Sequence, residues 1–196
     1  MYVVGPDEGE ITQKSILDFH RLRKTVFADE YNWDVLTSGP FEFDQYDMPS
    51  ARYVVAYSGD RCMGGARLLP CDVSFKGTDG QIYTYMLNDF CHGSMAGQFP
   101  KSKLNTPLPL THQAWEMSRF LSTSRDTTKL ILDAVDDYLG CAGVSEVITI
   151  SPLLMPRVLK RLGYETNVIS DAVTYGPRSY VALSTSVQAA SVGKEL

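Results

Sequence analysis

Clustered metal ligands are missing from this sequence. Its three histidines, His20, His92 and His112, stand far apart, and no H-E-x-x-H or comparable spacing occurs. Its four cysteines, Cys62, Cys71, Cys91 and Cys141, form no C-x-x-C pair. They read as reduced thiols, not as a disulfide frame or a zinc site. A metal enzyme is therefore disfavoured. Basic charge is also in deficit. Eighteen Lys and Arg against 23 Asp and Glu give a net charge of −5, which argues against a nucleic-acid partner. No apolar run approaches the roughly 20 residues of a membrane span. The opening MYVVGPDEGE has no basic n-region and no long apolar h-region, so a signal peptide is not expected and a cytoplasmic location is. No internal repeat is visible.

What remains has the composition of an ordinary globular protein, 44% hydrophobic and 21% charged. A chain of 196 residues suffices for one domain with a sizeable core. We expect that domain over residues 1–184, with 185–196 as a flexible tail.

The first half is organised around residues 23–47, where a cation, two large aromatics and several carboxylates crowd together. Residues 2–4 suit a short strand, and a helix should follow from about Thr12 as N-cap. Ile16, Phe19, Arg23 and Val26/Phe27 fall at three- and four-residue steps on one face. An arginine in that stripe must meet a carboxylate or a ligand, or else snorkel to water at its edge. From Asn32 to Pro49 periodicity stops. Gly39-Pro40 and Met48-Pro49 punctuate a polar and aromatic loop, of a length that is more often functional than idle. Its carboxylates Glu42, Asp44 and Asp47, taken singly, suit solvation as well as a site.

Tyr53–Tyr57 and Met63–Leu69 flank a Ser58-Gly59-Asp60 turn and read as an antiparallel hairpin. Gly64-Gly65 marks a bulge or a place where a ligand comes near the backbone. Arg67 falls opposite Ala66 and Leu68, in an edge ion pair or a site. Residues 70–111 look irregular, with a short helix or turn around Met86, Leu87 and Phe90. Gln113–Ser122 returns to strand. Strict alternation puts Ala114, Glu116, Ser118 and Phe120 on one face and Trp115, Met117, Arg119 and Leu121 on the other. Glu116 and Arg119 both need partners. Either a bulge brings them together, or they serve different ends.

A helix is predicted over about Asp126–Leu139, with Leu130, Ile131, Ala134, Val135 and Tyr138 as its apolar face and Gly140 and Gly143 at its end. Val147–Ile150 suits a central strand. Pro152 suits the first turn of a helix near Leu153–Leu162, whose Arg157, Lys160 and Arg161 form a basic face. Tyr164–Ile169 and Tyr175–Leu183 read as closing strands. Hairpins followed by alternating helices and strands imply an α/β fold: a single-domain three-layer sandwich, its mixed sheet covered by helices on both faces.

Several separate motifs then coincide in order and spacing. They are Arg23, Phe27 and Trp33; Glu42-Phe43-Asp44-Gln45-Tyr46-Asp47; Arg67-Leu68-Leu69-Pro70; and Glu116-Met117-Ser118-Arg119-Phe120. Over about residues 10–184 the chain resembles the LuxI-type acyl-homoserine lactone synthases, bacterial autoinducer synthases. The resemblance implies a fold related to the GNAT acetyltransferases. It also implies S-adenosylmethionine as a substrate, no prosthetic group, and an acyl thioester donor, either acyl carrier protein or acyl-CoA.

On these residues the resemblance implies that Arg23 supports the methionine carboxylate, directly or by ordering the loop. Phe27 and Trp33 would pack on the adenosine or sulfonium end, with Asp44, Arg119 and Phe120 completing that site. Asp44, Asp47, Arg67 and Arg119 would form a charged cluster that orients the amine. Glu116 is the candidate general base, and Ser118, with no histidine placed to activate it, a structural hydrogen-bonding residue. Cys62 reads as a buried strand thiol. Met86, Leu87, Trp115, Ile148, Thr149 and Leu153 are the expected acyl pocket; family members with Thr at the Thr149 position often favour 3-oxo chains. The basic face Arg157/Lys160/Arg161 suits an acidic carrier or the phosphates of coenzyme A, or plain solvation. Two rivals are a GNAT-type acetyltransferase using acetyl-CoA and a non-catalytic ligand-binding module on the same fold. The first requires a glycine-rich pyrophosphate turn, and Leu121–Lys129 has no glycine. The second has no need to keep every charged motif position.

Overall fold

A computed structural model describes residues 2–4, 10–93, 95 and 97–188. In chain order the first elements are β1 (Tyr2–Val4), α1 (Glu10–Arg23), β2 (Thr37–Ser38), β3 (Phe41–Glu42), β4 (Arg52–Ser58) and β5 (Arg61–Pro70). There follow β6 (Phe75–Lys76), β7 (Ile82–Tyr83), α2 (Met86–Cys91), β8 (Ala114–Ser122) and α3 (Arg125–Cys141). The last are β9 (Glu146–Pro152), α4 (Met155–Arg161), β10 (Thr166–Val168), β11 (Val173–Tyr175) and β12 (Arg178–Ser186). The fold is α/β with a mixed sheet, parallel where β8 meets β9 and antiparallel at β1–β4, β4–β5 and β9–β12.

The chain forms two compact units, residues 1–69 with 117–134, and residues 70–116 with 135–196. In the first, β1, β4 and β5 run antiparallel in that order, and Met117–Ser122 of β8 follows β5. The adjacent glycines Gly64 and Gly65 show how its layers meet. A Cβ on Gly65 would lie 2.9 Å from the Phe19 ring of α1. One on Gly64 would lie 2.3 Å from the Leu121 carbonyl oxygen and 3.0 Å from Cδ1 of Ile131 on α3. Successive strand residues face opposite ways, so α1 and α3 pack on opposite faces of this part of the sheet. The register also shifts at Ala56/Tyr57, opposite these glycines. The bulge reading of the Gly-Gly pair therefore holds, whereas the close neighbours of its backbone are Phe19, Leu121 and Ile131 and not a ligand.

Helix α1 begins at Glu10, so Thr12 lies inside it rather than capping it. Phe19, Arg23 and Phe27 are all buried, as the stripe predicts. After Arg23 the helix widens into a π-helical stretch, Lys24–Glu30.

In the second unit the strand order is β8 (through Ala114–Glu116), β9, β12 and β10, with β11 paired to β12. Ile148, Leu159, Ala182 and Leu183 are buried there. The predicted Tyr175–Leu183 strand is interrupted at Gly176-Pro177, where β11 turns back into β12. Pro152 ends β9 opposite Tyr180, and Pro156 takes the first turn of α4 instead. Helix α3 runs through Gly140 to Cys141, and Gly143, at φ 74°, follows its end. Of its expected apolar face, Leu130 is exposed. β12 extends to Ser186, so the expected tail starts as strand; residues 189–196 lie outside the described residues.

Candidate active site

The first unit gathers three arginines and three carboxylates from α1, β3, the loop after it, β5 and β8. Arg23, at the end of α1, is fully buried. It donates from Nη1 and Nη2 to the two oxygens of Asp47, at 2.7 and 2.9 Å, and from Nε to Glu42. Arg67, from β5 and equally buried, donates to Asp44 through both Nη atoms, to Asp47 at 3.0 Å and to Ser118 Oγ at 3.1 Å. Arg119, from β8, reaches Glu42 Oε1 at 2.9 Å and Asp44 Oδ2 at 2.8 Å. Its side chain is 12% exposed, against 0% for Arg23 and Arg67. The buried arginines thus found carboxylates, and neither solvation of the loop acids nor an edge position for Arg67 holds.

Backbone geometry explains how β8 serves this cluster. Arg119 has φ 53°, the left-handed region that non-glycine residues rarely adopt. Such a residue inside a strand acts as a bulge and breaks alternation. Ser118 and Arg119 are neighbours, yet both reach the cluster. A backbone of this kind costs on the order of 1–3 kcal/mol and persists only where its surroundings over-determine it. Here two carboxylates hold the guanidinium.

The loop is folded around its own acids. Asp47 accepts from the Asp44 N–H at 2.9 Å and from the Tyr53 hydroxyl at 2.8 Å, and Asp44 accepts from the Tyr46 N–H at 2.8 Å. Burial alone would raise both aspartates. Arg67, with Arg119 at Asp44 and Arg23 at Asp47, outweighs it and holds both carboxyls below their usual range, Asp47 well below. Burial, then Asp47, pushes the Tyr53 hydroxyl well above its usual value, so it stays a donor. Beside the charges, Phe27 and Trp33 stack at 4.9 Å and 10°, and the Arg119 guanidinium lies 5.3 Å from the Phe27 ring centre. Phe120, next along β8, is half-buried.

Glu116 belongs to the second unit. It is fully buried and accepts the N–H groups of Met86 and Leu87 at 2.9 and 2.8 Å, fixing the first turn of α2. Ile148 stands opposite Glu116 in the parallel register, so it shares that face of the sheet. Trp115 points the other way, with its ring 6.2 Å from that of Tyr138 on α3, and Thr149 falls on Trp115's face by alternation. The expected acyl pocket is thus split, with Met86, Leu87 and Ile148 on one side and Trp115 and Thr149 on the other. Leu153, 49% exposed between β9 and α4, lines no interior. Arg157, Lys160 and Arg161 are all exposed on α4.

Sequence reasoning understated Glu42, which joins Arg23 to Arg119, and it missed Tyr53 and His20. The signal for Glu42 was its place in the acidic run. The other two carried none. Among the described residues no group of His, Cys, Asp and Glu is arranged to hold a metal, and no helix is long and apolar enough to cross a membrane.

An α/β fold with this mixed sheet is GNAT-like, and a putative N-acetyltransferase from Lactobacillus plantarum shares it (TM-score 0.58, 11% identity, covering 95% of this chain and 98% of that one). The chain belongs to the autoinducer synthase family, whose model matches residues 7–194. An acyl-homoserine-lactone synthase of Pseudomonas aeruginosa is 30% identical over 154 residues, 76% of this chain and 67% of that protein. One from Rhizobium radiobacter is 29% identical over 191 residues, 91% and 82% of the two chains. Among solved structures, TofI in a ternary complex with an inhibitor and MTA is similar with TM-score 0.76 and 22% identity, over 95% of this chain and 90% of that one. BjaI, a CoA-dependent acyl-homoserine lactone synthase with SAM and isopentyl-CoA, gives TM-score 0.75 at 19% identity, over 95% and 82%.

Proposed function

We propose that the chain is an acyl-homoserine lactone synthase, an acyltransferase that makes a quorum-sensing signal. Its α-amine substrate is S-adenosylmethionine and its donor an acyl thioester, on acyl carrier protein or, as in BjaI, on coenzyme A. The amine nitrogen attacks the thioester carbonyl. The C–S bond breaks, the amide forms, and the amine proton leaves with the carrier thiol. The methionine carboxylate then attacks its own Cγ, expelling methylthioadenosine and closing the lactone. The sulfonium is already a good leaving group, so this step mainly requires the right conformer. The first step requires a neutral amine and a stabilised oxyanion.

The observation that carries this reading is the charge cluster beside the Phe27–Trp33 stack, built from the motif residues themselves. Arg23 and Arg67, fully buried among the loop acids, are assigned to holding the loop. Arg119, the cluster cation nearest the surface, is assigned to the methionine carboxylate. Phe27 and Trp33, with Phe120, are assigned to the adenosine and sulfonium end, where a cation on an aromatic face gains roughly 0.5–2 kcal/mol. Asp44 and Asp47 are assigned to orienting the amine, and Glu116 to relaying the amine proton to the leaving thiolate. Met86, Leu87 and Ile148, on the Glu116 side of the sheet, are assigned to the acyl chain. Leu153 and Leu154, just before α4, and Val158 on it are exposed near Arg157, Lys160 and Arg161. That mixed apolar and basic surface suits an acidic carrier protein or coenzyme A phosphates. Both substrates are cytoplasmic metabolites, and we place the enzyme there.

The test is purified protein with S-adenosylmethionine and a panel of acyl carriers and acyl-CoAs, following methylthioadenosine and lactone by mass spectrometry. Both products should appear with at least one donor. No methylthioadenosine with any donor overturns the assignment.

A further inference from the structure

One turn before Arg23, α1 carries a side chain that the reaction scheme leaves unused. His20 is 1% exposed. Its Nδ1 lies 2.7 Å from the carbonyl oxygen of Glu42. A carbonyl only accepts, so Nδ1 carries the hydrogen, and in a neutral ring Nε2 is the bare nitrogen. The ring stacks on Phe43 at 4.4 Å and 30°. Its Nε2 lies 3.9 Å from Asp47 Oδ1. One imidazole therefore meets both ends of the acidic run.

We propose that His20 is a positioning residue for Glu42. By tying the 42–43 peptide to α1 it places the carboxylate that receives Arg23 and orients Arg119. This inference rests on the synthase reading given above. The need for such an anchor follows from the loop. Its only regular structure is the pair β2–β3, two residues a strand, held by Thr37 opposite Glu42 and Ser38 opposite Phe41. Arg23, Arg67 and Arg119 grip the acidic side chains, not the main chain at residue 42. A carboxylate is held to hydrogen-bond accuracy only if its Cα is held too, and the imidazole, rigid and bonded to the carbonyl of that residue, does this.

Three substitutions separate an anchor from a core filler. An Asn amide nitrogen is attached to Cγ, as Nδ1 is, so His20→Asn keeps a donor in place. His20→Gln moves the nitrogen one bond further out. His20→Phe keeps the ring on Phe43 without any donor. Phe and Gln should raise the KM for S-adenosylmethionine by about tenfold, leaving the donor's KM unchanged, while Asn stays within about threefold of wild type. Phe behaving as wild type, or Asn no better than Phe, overturns the proposal. The second readout needs no turnover. His92 and His112 are exposed, so the buried His20 should be distinct in a spectrum of 15N-labelled imidazoles, with its proton on Nδ1. A proton on Nε2 overturns the proposal. A wild-type protein that released no methylthioadenosine would sink the synthase reading and leave this bond still measurable.

Discussion

Arg23 and Asp47, 24 positions apart, face each other through two parallel hydrogen bonds of 2.7 and 2.9 Å. Fork-to-fork pairing of this kind adds direction to charge. It ties the far end of the loop to the end of α1, and Asp47 then passes the constraint on to Arg67 and Tyr53.

Asp47→Asn should therefore be costly. It leaves two fully buried guanidinium groups short of a countercharge. Breaking a buried pair from one side costs about 3–5 kcal/mol. Denaturant titration should show that loss in the free energy of unfolding, with an unchanged m-value if the native state stays compact.

The acid limb of stability has a predictable sign. Asp44 and Asp47 have folded-state pKa values below their unfolded ones. Their contribution is complete above the unfolded carboxylate value of about 4 and is lost as pH falls below it, at about 1.4 kcal/mol per pH unit for each group. His20 adds in the same direction, because burial and then Arg23 lower its pKa. Protonation below its unfolded value of about 6.5 favours the unfolded chain. Unfolding followed from pH 7 to pH 2 should steepen in two stages, and His20→Phe should remove the earlier one.

Glu116→Gln separates chemistry from support. Gln keeps one acceptor for the Met86 and Leu87 amides and turns an NH2 toward the other. If Glu116 takes the amine proton, single-turnover release of methylthioadenosine should fall by at least about 100-fold, while S-adenosylmethionine binding by calorimetry changes far less. Lost binding with intact turnover per bound ligand would make Glu116 a positioning residue.

Charge reversal on α4 addresses the donor. Arg157→Glu, Lys160→Glu and Arg161→Glu together should raise the donor KM by about tenfold and flatten its dependence on salt. S-adenosylmethionine affinity should stay as it was. An unchanged donor KM would mean that this face is only solvated.

Much of this was legible in the sequence because it depends on short-range pattern. The stripe Phe19–Arg23–Phe27 is a helical repeat, and a buried cation in it announces a partner. The β4–β5 hairpin was legible from its turn and apolar runs. What escaped depends on events with no repeating signal. The widening of α1 after Arg23 adds about one residue to a turn, too little to alter a pattern of seven positions. The left-handed Arg119 breaks the alternation on which its facing was read. Trp115 and Thr149 were grouped with Met86 through the family resemblance, which does not tell which face of the sheet each residue occupies in this chain. His20 looked like any helical histidine, because its partner is a main-chain carbonyl 22 residues away.

The three guanidinium groups and three carboxylates sum to zero formal charge. A balanced set of charges this close together projects little field beyond its own diameter, so it draws an ion from solution weakly. S-adenosylmethionine should then meet this site at a rate nearly independent of ionic strength, in contrast to an acyl donor arriving at the unbalanced cations of α4.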